Sequence, residues 1–288
     1  MYIEMTDGVK LYVKREGKGK PCIFIHGGPG SWSYDYEVYG GRCLQDSIDF
    51  IYFDQRGCGR SEGENDTDYS INRIIRDIEE VRTNLGIESW IVIAHSFGGI
   101  IAINYVEKYK EHVDGLILLS CTLYMEDSFK SQIYHGRRLL SLGNDYELDD
   151  SYEVLDKWNK TITELLEKDI FYKLQYISYE SYKRVNNLFS EVDDFNRSMG
   201  NQAFTNKGYN KCYYEITEII DVPVLVIVGN KDYAIGCRHY ENFLFPNAKY
   251  NIIDGKHLLY IENNNEYENA IREFLKEMKA GPVQGRKY

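Results

Sequence analysis

No stretch of this chain approaches the roughly 18 consecutive apolar residues that a membrane span needs, so a membrane protein is not expected. Basic charge is in deficit: 34 Lys and Arg stand against 45 Asp and Glu, giving a net charge of −11 and a pI near 5.1. A nucleic-acid binder needs clustered Lys and Arg to meet phosphates, and that class is excluded. The acidic excess reads as a solubility feature. Cysteine occurs six times (Cys22, Cys43, Cys58, Cys121, Cys212 and Cys237) but without metal-ligand spacing. The N-terminal Met1–Asp7 has neither the basic nor the apolar region of a secretory signal. The thiols are therefore expected to be reduced, the location cytoplasmic, and no metal or organic cofactor is implied. Prolines are few, at five. What is present, 43% apolar and 27% charged residues, is the composition of a soluble globular protein.

A chain of 288 residues can bury a large core. Strands are expected at Lys10–Lys14, Cys22–His26, Asp49–Asp54, Trp90–His95 and Val113–Ser120. The later four are near-continuous apolar runs, as in strands of a parallel sheet buried on both faces. Ser70–Leu85 carries Ile71, Ile74, Ile75, Ile78, Val81 and Leu85 at helical spacing, with Ser70 as N-cap and Gly86 as stop. From Cys121 to about Glu215 only helical patterns occur, dense in aromatics. Strand patterns resume at Val222–Val228 and Ala248–Ile253, and a last helix is expected over Asn264–Met278. Residues 1–120 and 216–280 thus read as one core and 121–215 as a helical cap inserted into it. Residues 281–288 read as a flexible tail or an expression remnant.

Ser96 lies in Ile91-Val92-Ile93-Ala94-His95-Ser96-Phe97-Gly98-Gly99, a β-branched strand, a turn of small residues and an apolar helix. That is a G-x-S-x-G nucleophile turn with Ala94 replacing the first glycine. A serine hydroxyl needs a histidine to take its proton and a carboxylate to fix that histidine. In this arrangement the acid and then the histidine follow the serine in the chain. Asp232 stands just past Val224–Val228, and His257 follows the last strand. His239 is the other histidine after Asp232 and reads as one on a helix surface. His26 and His95 read as structural, and His112 and His135 carry no signal. Backbone N–H groups of Gly28, within His26-Gly27-Gly28-Pro29-Gly30, and of Phe97 would form the oxyanion hole. The glycine loop matches neither a dinucleotide fingerprint nor a Walker motif. Cys121 reads as a buried small hydrophobe.

The His26–Gly30 motif, then Asp54-Gln55-Arg56-Gly57-Cys58-Gly59-Arg60-Ser61, then the Ser96 turn, together resemble the proline iminopeptidase family of serine hydrolases. The resemblance runs over roughly residues 10–120 and 218–278. It implies an α/β-hydrolase fold, a mostly parallel central sheet flanked by helices with a helical cap, and release of N-terminal residues from small peptides. By the same match Ser96, Asp232 and His257 form the triad. Members of the family hold the substrate amine with glutamates, one after the triad aspartate in some and one in the cap. Here those places hold Tyr233 and the stretch Gly200-Asn201-Gln202-Ala203-Phe204. Glu180, Glu191, Asp193, Asp194 and Glu215 are alternative cap acids. A carboxylesterase or other small-acyl ester or amide hydrolase is the alternative reading, and a non-catalytic ligand-binding protein a distant one. Cap aromatics Trp158, Phe171, Tyr172, Tyr176, Tyr179, Tyr182, Phe189, Phe195 and Phe204 either pack the cap or line a pocket.

Overall fold

The computed structural model describes residues 1–142 and 151–280; the expected tail, 281–288, lies outside them. Among the described residues eight strands form one sheet: β1 Tyr2–Glu4, β2 Lys10–Gly17, β3 Lys20–Ile25, β4 Ile48–Phe53, β5 Trp90–His95, β6 Val113–Leu119, β7 Val224–Gly229 and β8 Ala248–Ile253. Their order is β1-β2-β4-β3-β5-β6-β7-β8. The pairs β1–β2 and β2–β4 are antiparallel, and every pairing from β4 to β8 is parallel. This is an α/β-hydrolase fold.

The strand period of two sorts the sheet into two cores. Cys22, Phe24, Phe50, Tyr52, Ile91, Ile93, Ile117, Leu119, Leu225 and Ile227 enter one of them. Their chain neighbours Ile23, Ile25, Ile51, Phe53, Val92, Ala94, Leu116, Leu118, Val224 and Val226 enter the other. Because both faces are covered, the strands read as unbroken apolar runs. Burying one such side chain contributes about 1.5–3 kcal/mol, and a one-residue register slip would exchange the two sets. The second core is closed by α1 Ile71–Asn84 and α2 Gly98–Lys108. Ser70 caps α1 by accepting the Arg73 N–H, and Ile71, Ile74, Ile75, Ile78 and Val81 face inward. The helix ends in a Schellman turn, with Ile87 N–H to Arg82 O, Gly86 N–H to Thr83 O and Gly86 at φ +64°. The first core is closed by Tyr36, α7 Leu259–Glu262 and α8 Asn264–Ala280.

Between β6 and β7 lie α3 Met125–Leu139, α4 Ser151–Glu167, α5 Tyr179–Leu188 and α6 Ser198–Gln202, with no strand among the described residues there. Leu140, Ile162, Leu165 and Leu174 form a small core of their own in this segment.

The differences from the expected elements are local. Tyr2–Glu4 is a strand because its partner Lys10–Tyr12 is there to pair with, which its own pattern does not announce. The seventh strand starts at Val224, two residues later than expected. Pro223 has no N–H for a ladder, although its carbonyl accepts the Leu116 N–H at 2.9 Å.

Candidate active site

The C-terminal ends of the parallel strands bring His26, Ser96 and His257 to one cavity, with Asp232 behind His257. His26 follows β3, Asp54 follows β4, Ser96 follows β5, Asp232 lies past β7 and His257 past β8. Ser96 adopts φ +55°, a left-handed conformation that non-glycine residues avoid. Its N–H is shared between the carbonyls of Leu119 and Ser120, and its carbonyl accepts the N–H groups of Gly99 and Thr122. These bonds hold the turn against its strain. Close approach explains the glycines: a Cβ on Gly27 would lie 2.7 Å from the Ser96 Cβ, and one on Gly98 would lie 2.4 Å from the Ile25 carbonyl oxygen.

Asp232 is fully buried. Its Oδ1 accepts the N–H groups of Ala234 and Ile235 at 3.0 and 3.3 Å, and its Oδ2 accepts from His257 Nδ1 at 2.8 Å. The last contact assigns the ring proton to Nδ1 and leaves Nε2 of His257 as the basic nitrogen. Ser96 and His257 line the same cavity, together with Gly27 and Gly28. Among the described residues neither the Gly28 nor the Phe97 N–H is donated to a backbone carbonyl. Phe97 is the N-cap of α2, so its N–H belongs to the positive end of that helix.

The loop carrying Gly28 (φ +121°) is fixed from the side. His26 Nε2 accepts the Gln55 N–H at 2.9 Å, His26 Nδ1 contacts the Gly27 carbonyl at 2.9 Å, and the Gln55 side-chain amide donates to the His26 carbonyl. Burial pushes the His26 imidazole below its usual range, which keeps it the neutral acceptor these bonds require. Beyond Gln55, burial alone would raise the Asp54 carboxyl, yet Arg60 at 2.7 Å holds it below the usual carboxylate range. Asp54 also accepts the N–H and hydroxyl of Ser33. Arg56, with no exposed surface, is bidentate to Asp77 at 2.6 and 2.8 Å. The Asp54–Ser61 motif thus braces the glycine loop.

Other residues fall differently from their sequence reading. His239 is buried, on a short turn with its ring against Phe243, so the helix-surface reading is corrected. The apolar side of that turn faces inward. His95 stands in the site itself: its ring centroid is 4.7 Å from that of His257, and its Nε2 contacts the His257 carbonyl at 3.2 Å. Burial, with the nearby His257, pushes it well below its usual range, so it is a neutral support. Cys121 is buried and its thiol is pushed well up by that burial, as a packing residue would be. Of the aromatics from the helical segment, Tyr176 and Phe189 line the cavity. Trp158 and Phe204 pack on Phe129, and Tyr172, Tyr179 and Tyr182 pack on one another. None of Glu180, Glu191, Asp193, Asp194 or Glu215 lines it; among the described residues the carboxylate that does is Asp35, which no motif announced.

The cavity, about 280 Å³, is at the small end for ligand sites. No helix among the described residues is long and apolar enough to cross a membrane. The family model described as alpha/beta hydrolase fold matches residues 20–264. A proline iminopeptidase of Saccharolobus solfataricus is 28% identical over 93% of this chain and 89% of its own length. Among solved structures, a proline iminopeptidase-related protein of Thermus thermophilus superposes with a TM-score of 0.81 at 22% identity, over 96% of this chain and 97% of that one. An esterase from Exiguobacterium antarcticum does so at 0.70 and 19%, over 96% and 98%. Likeness at such identities is one of fold. Built on this sheet and matched by this family over most of its length, the chain belongs to the alpha/beta hydrolase fold family and is a hydrolase.

Proposed function

We propose that this hydrolase works through an acyl-enzyme on Ser96 and acts as a proline iminopeptidase-like aminopeptidase, releasing N-terminal residues from small peptides. The observation that carries the mechanism is the His257–Asp232 contact at 2.8 Å beside a strained Ser96 in one cavity. His257 Nε2 takes the Ser96 hydroxyl proton as Oγ bonds to the substrate carbonyl carbon. The oxyanion is held by the N–H groups of Gly28 and Phe97; losing one such donor typically lowers turnover by roughly 10²–10³. His257 then returns the proton to the leaving nitrogen, the C–N bond breaks, and water repeats the cycle on the ester. Asp232 keeps the imidazole in the tautomer this requires.

The similarity to proline iminopeptidases over most of the chain supports the peptide substrate. One observation favours a second reading, a small-acyl esterase: the acids expected from the helical segment are absent from the cavity wall. Hydrolysis of a prolyl arylamide with a free N-terminus, its N-blocked counterpart and a short p-nitrophenyl ester separates the two. Cleavage confined to the free amine is the expected result, and Ser96→Ala is expected to remove turnover of every substrate. Ester cleavage indifferent to the amine would overturn the peptidase reading, and activity surviving in Ser96→Ala would overturn the nucleophile.

A further inference from the structure

A protonated amine taken out of water into a partly closed cavity is best met by an anion there. Among the described residues lining this cavity the carboxylate is Asp35. It is buried in the connection from β3 to β4, helical there and the N-cap of the π-helix Tyr36–Gly41. Its Oδ2 accepts the Tyr260 hydroxyl at 2.5 Å. A carboxylate offers about four acceptor positions; the Tyr260 hydroxyl and the N–H groups of Tyr36 and of Asp35 itself draw on some of them, and room for a cation remains. The chain supplies none: among the described residues Asp35 makes no ion pair. Arg60, over the ring of neighbouring Tyr34, is bound to Asp54, and Lys14 is bound to Glu16 and Glu37. Burial without a cation pushes the Asp35 carboxyl up to about 6, against the Tyr260 hydrogen bond. A buried acid of this kind is costly to keep unless something charged visits it.

The surroundings say what that visitor is. Trp32, Tyr176, Val185, Phe189 and Leu258 supply the apolar part of the wall, Ser31, Gln175, His26 and His95 its polar part, and Ser96 and His257 stand at the same cavity. None of the acids named from the helical segment lines the cavity; Glu191 accepts the Tyr34 hydroxyl at 2.6 Å, and Asp194 borders an outer depression with Tyr2, Lys10 and Arg60. We propose that Asp35 is the specificity carboxylate of this cavity, pairing with the protonated amine of an N-terminal residue whose carbonyl is presented to Ser96. This rests on the aminopeptidase reading and names the group that reading otherwise lacks. The carboxylate comes from the sheet side of the cavity rather than from the helices over it.

The pair exists only while both partners are charged. Asp35 ionises above about 6, and an N-terminal amine is protonated below about 8. The groups around Asp35 are Tyr260 of α7, Tyr176, Asp54 past β4, whose charge raises Asp35 further, and His26, His95 and His257 on the cavity wall. Their titration acts on any ligand, so the readout is a ratio.

The test compares wild type and Asp35→Asn on the free and N-blocked prolyl arylamides. The amide still accepts the Tyr260 hydroxyl but carries no charge. The wild-type preference for the free amine is expected to fall at least tenfold in the variant, through KM more than kcat. Retention of the preference, or equal loss on both substrates, overturns the role of Asp35. Inhibition of unmodified enzyme by prolinamide, against N-acetylprolinamide, keeps the test independent of how the variant folds. The ratio of their inhibition constants should favour prolinamide most between pH 6 and 8 and collapse below 6; a ratio flat from pH 5 to 8 overturns the proposal. If wild type cleaves ester but no free-amine substrate, the aminopeptidase reading itself has failed, a result distinct from either.

Discussion

Individual positions in this site were legible to the extent that chemistry forces a local pattern. Ser96, the nucleophile we propose, stood out because a nucleophile turn needs small residues on both sides and a strand and helix around it. Asp232 and His257 were visible because chain order and strand ends leave few candidates. Asp35 was not, since a carboxylate reaching a cavity from a connection between strands has no local signature; only the folded chain sets it beside Ser96. His95 was missed as a contact of His257 for the same reason. The constraint that bears directly on Ser96 is Gly27, whose missing Cβ leaves the space that Ser96 occupies. A Gly27→Ala protein is expected to lose at least tenfold in kcat on any substrate that wild type cleaves, because Ser96 must move off its attack position. Steady-state kinetics on a protein with an unchanged circular dichroism spectrum check this. Undiminished kcat would mean that the loop yields instead of the serine.

Among the elements, buried strands declared themselves through apolar runs and α1 through its cap, its period of 3.6 and its glycine stop. Short pieces did not: β1 exists only by pairing with β2, and the turn at His239 only by packing its apolar side inward. Function at this scale lies in how one element steadies another. The loop after β3 is held by His26, clamped to Gln55 and to its own neighbour Gly27. Replacing His26 with Leu leaves the buried Gln55 N–H without its acceptor, at a cost of about 1–3 kcal/mol. It also frees the Gly28 donor. The expected outcome for His26→Leu is a lower melting temperature together with a fall in kcat larger than the change in KM, since the oxyanion role we propose for the Gly28 N–H acts chiefly in the transition state. A stability loss with kcat intact would restrict His26 to packing.

For the molecule as a whole, the parallel sheet and its two cores followed from the sequence, since alternate residues of the same runs feed opposite faces. The brace of charges beneath the site did not follow, because nothing in the spacing of Arg56 and Asp77 says that they meet. Arg56 is fully buried and Asp77 nearly so; Asp77 receives both Arg56 and Arg73. Removing one partner of a buried pair typically costs about 3–5 kcal/mol, less where a second partner remains as Arg73 does for Asp77, whereas replacing a whole buried ionic set with apolar residues is often neutral. Arg56→Met alone is expected to shift the urea midpoint downward. Arg56→Met with Asp77→Leu should recover part of the loss, Arg73 keeping Glu80 and Asp7 as its partners. Equilibrium unfolding of both proteins decides it, and a double variant weaker than the sum of its singles would place the value of the pair in specific structure.

The helical segment leaves the sheet after β6 and returns at β7, and those two strands are direct neighbours, Leu116 to Leu119 lying opposite Val224 to Ile227. The excursion therefore begins and ends at one seam, and the hydrogen-bonded ladder beneath it closes without it. A lineage can lengthen, shorten or exchange that stretch while the strand ends bearing Ser96, Asp232 and His257 stay where they are. With Asp35 also on the sheet side, such an exchange would reshape the room for a side chain without altering the demand for a positive charge. Appetite for a charge and tolerance of bulk would then be inherited separately, as two heritable traits carried by one chain.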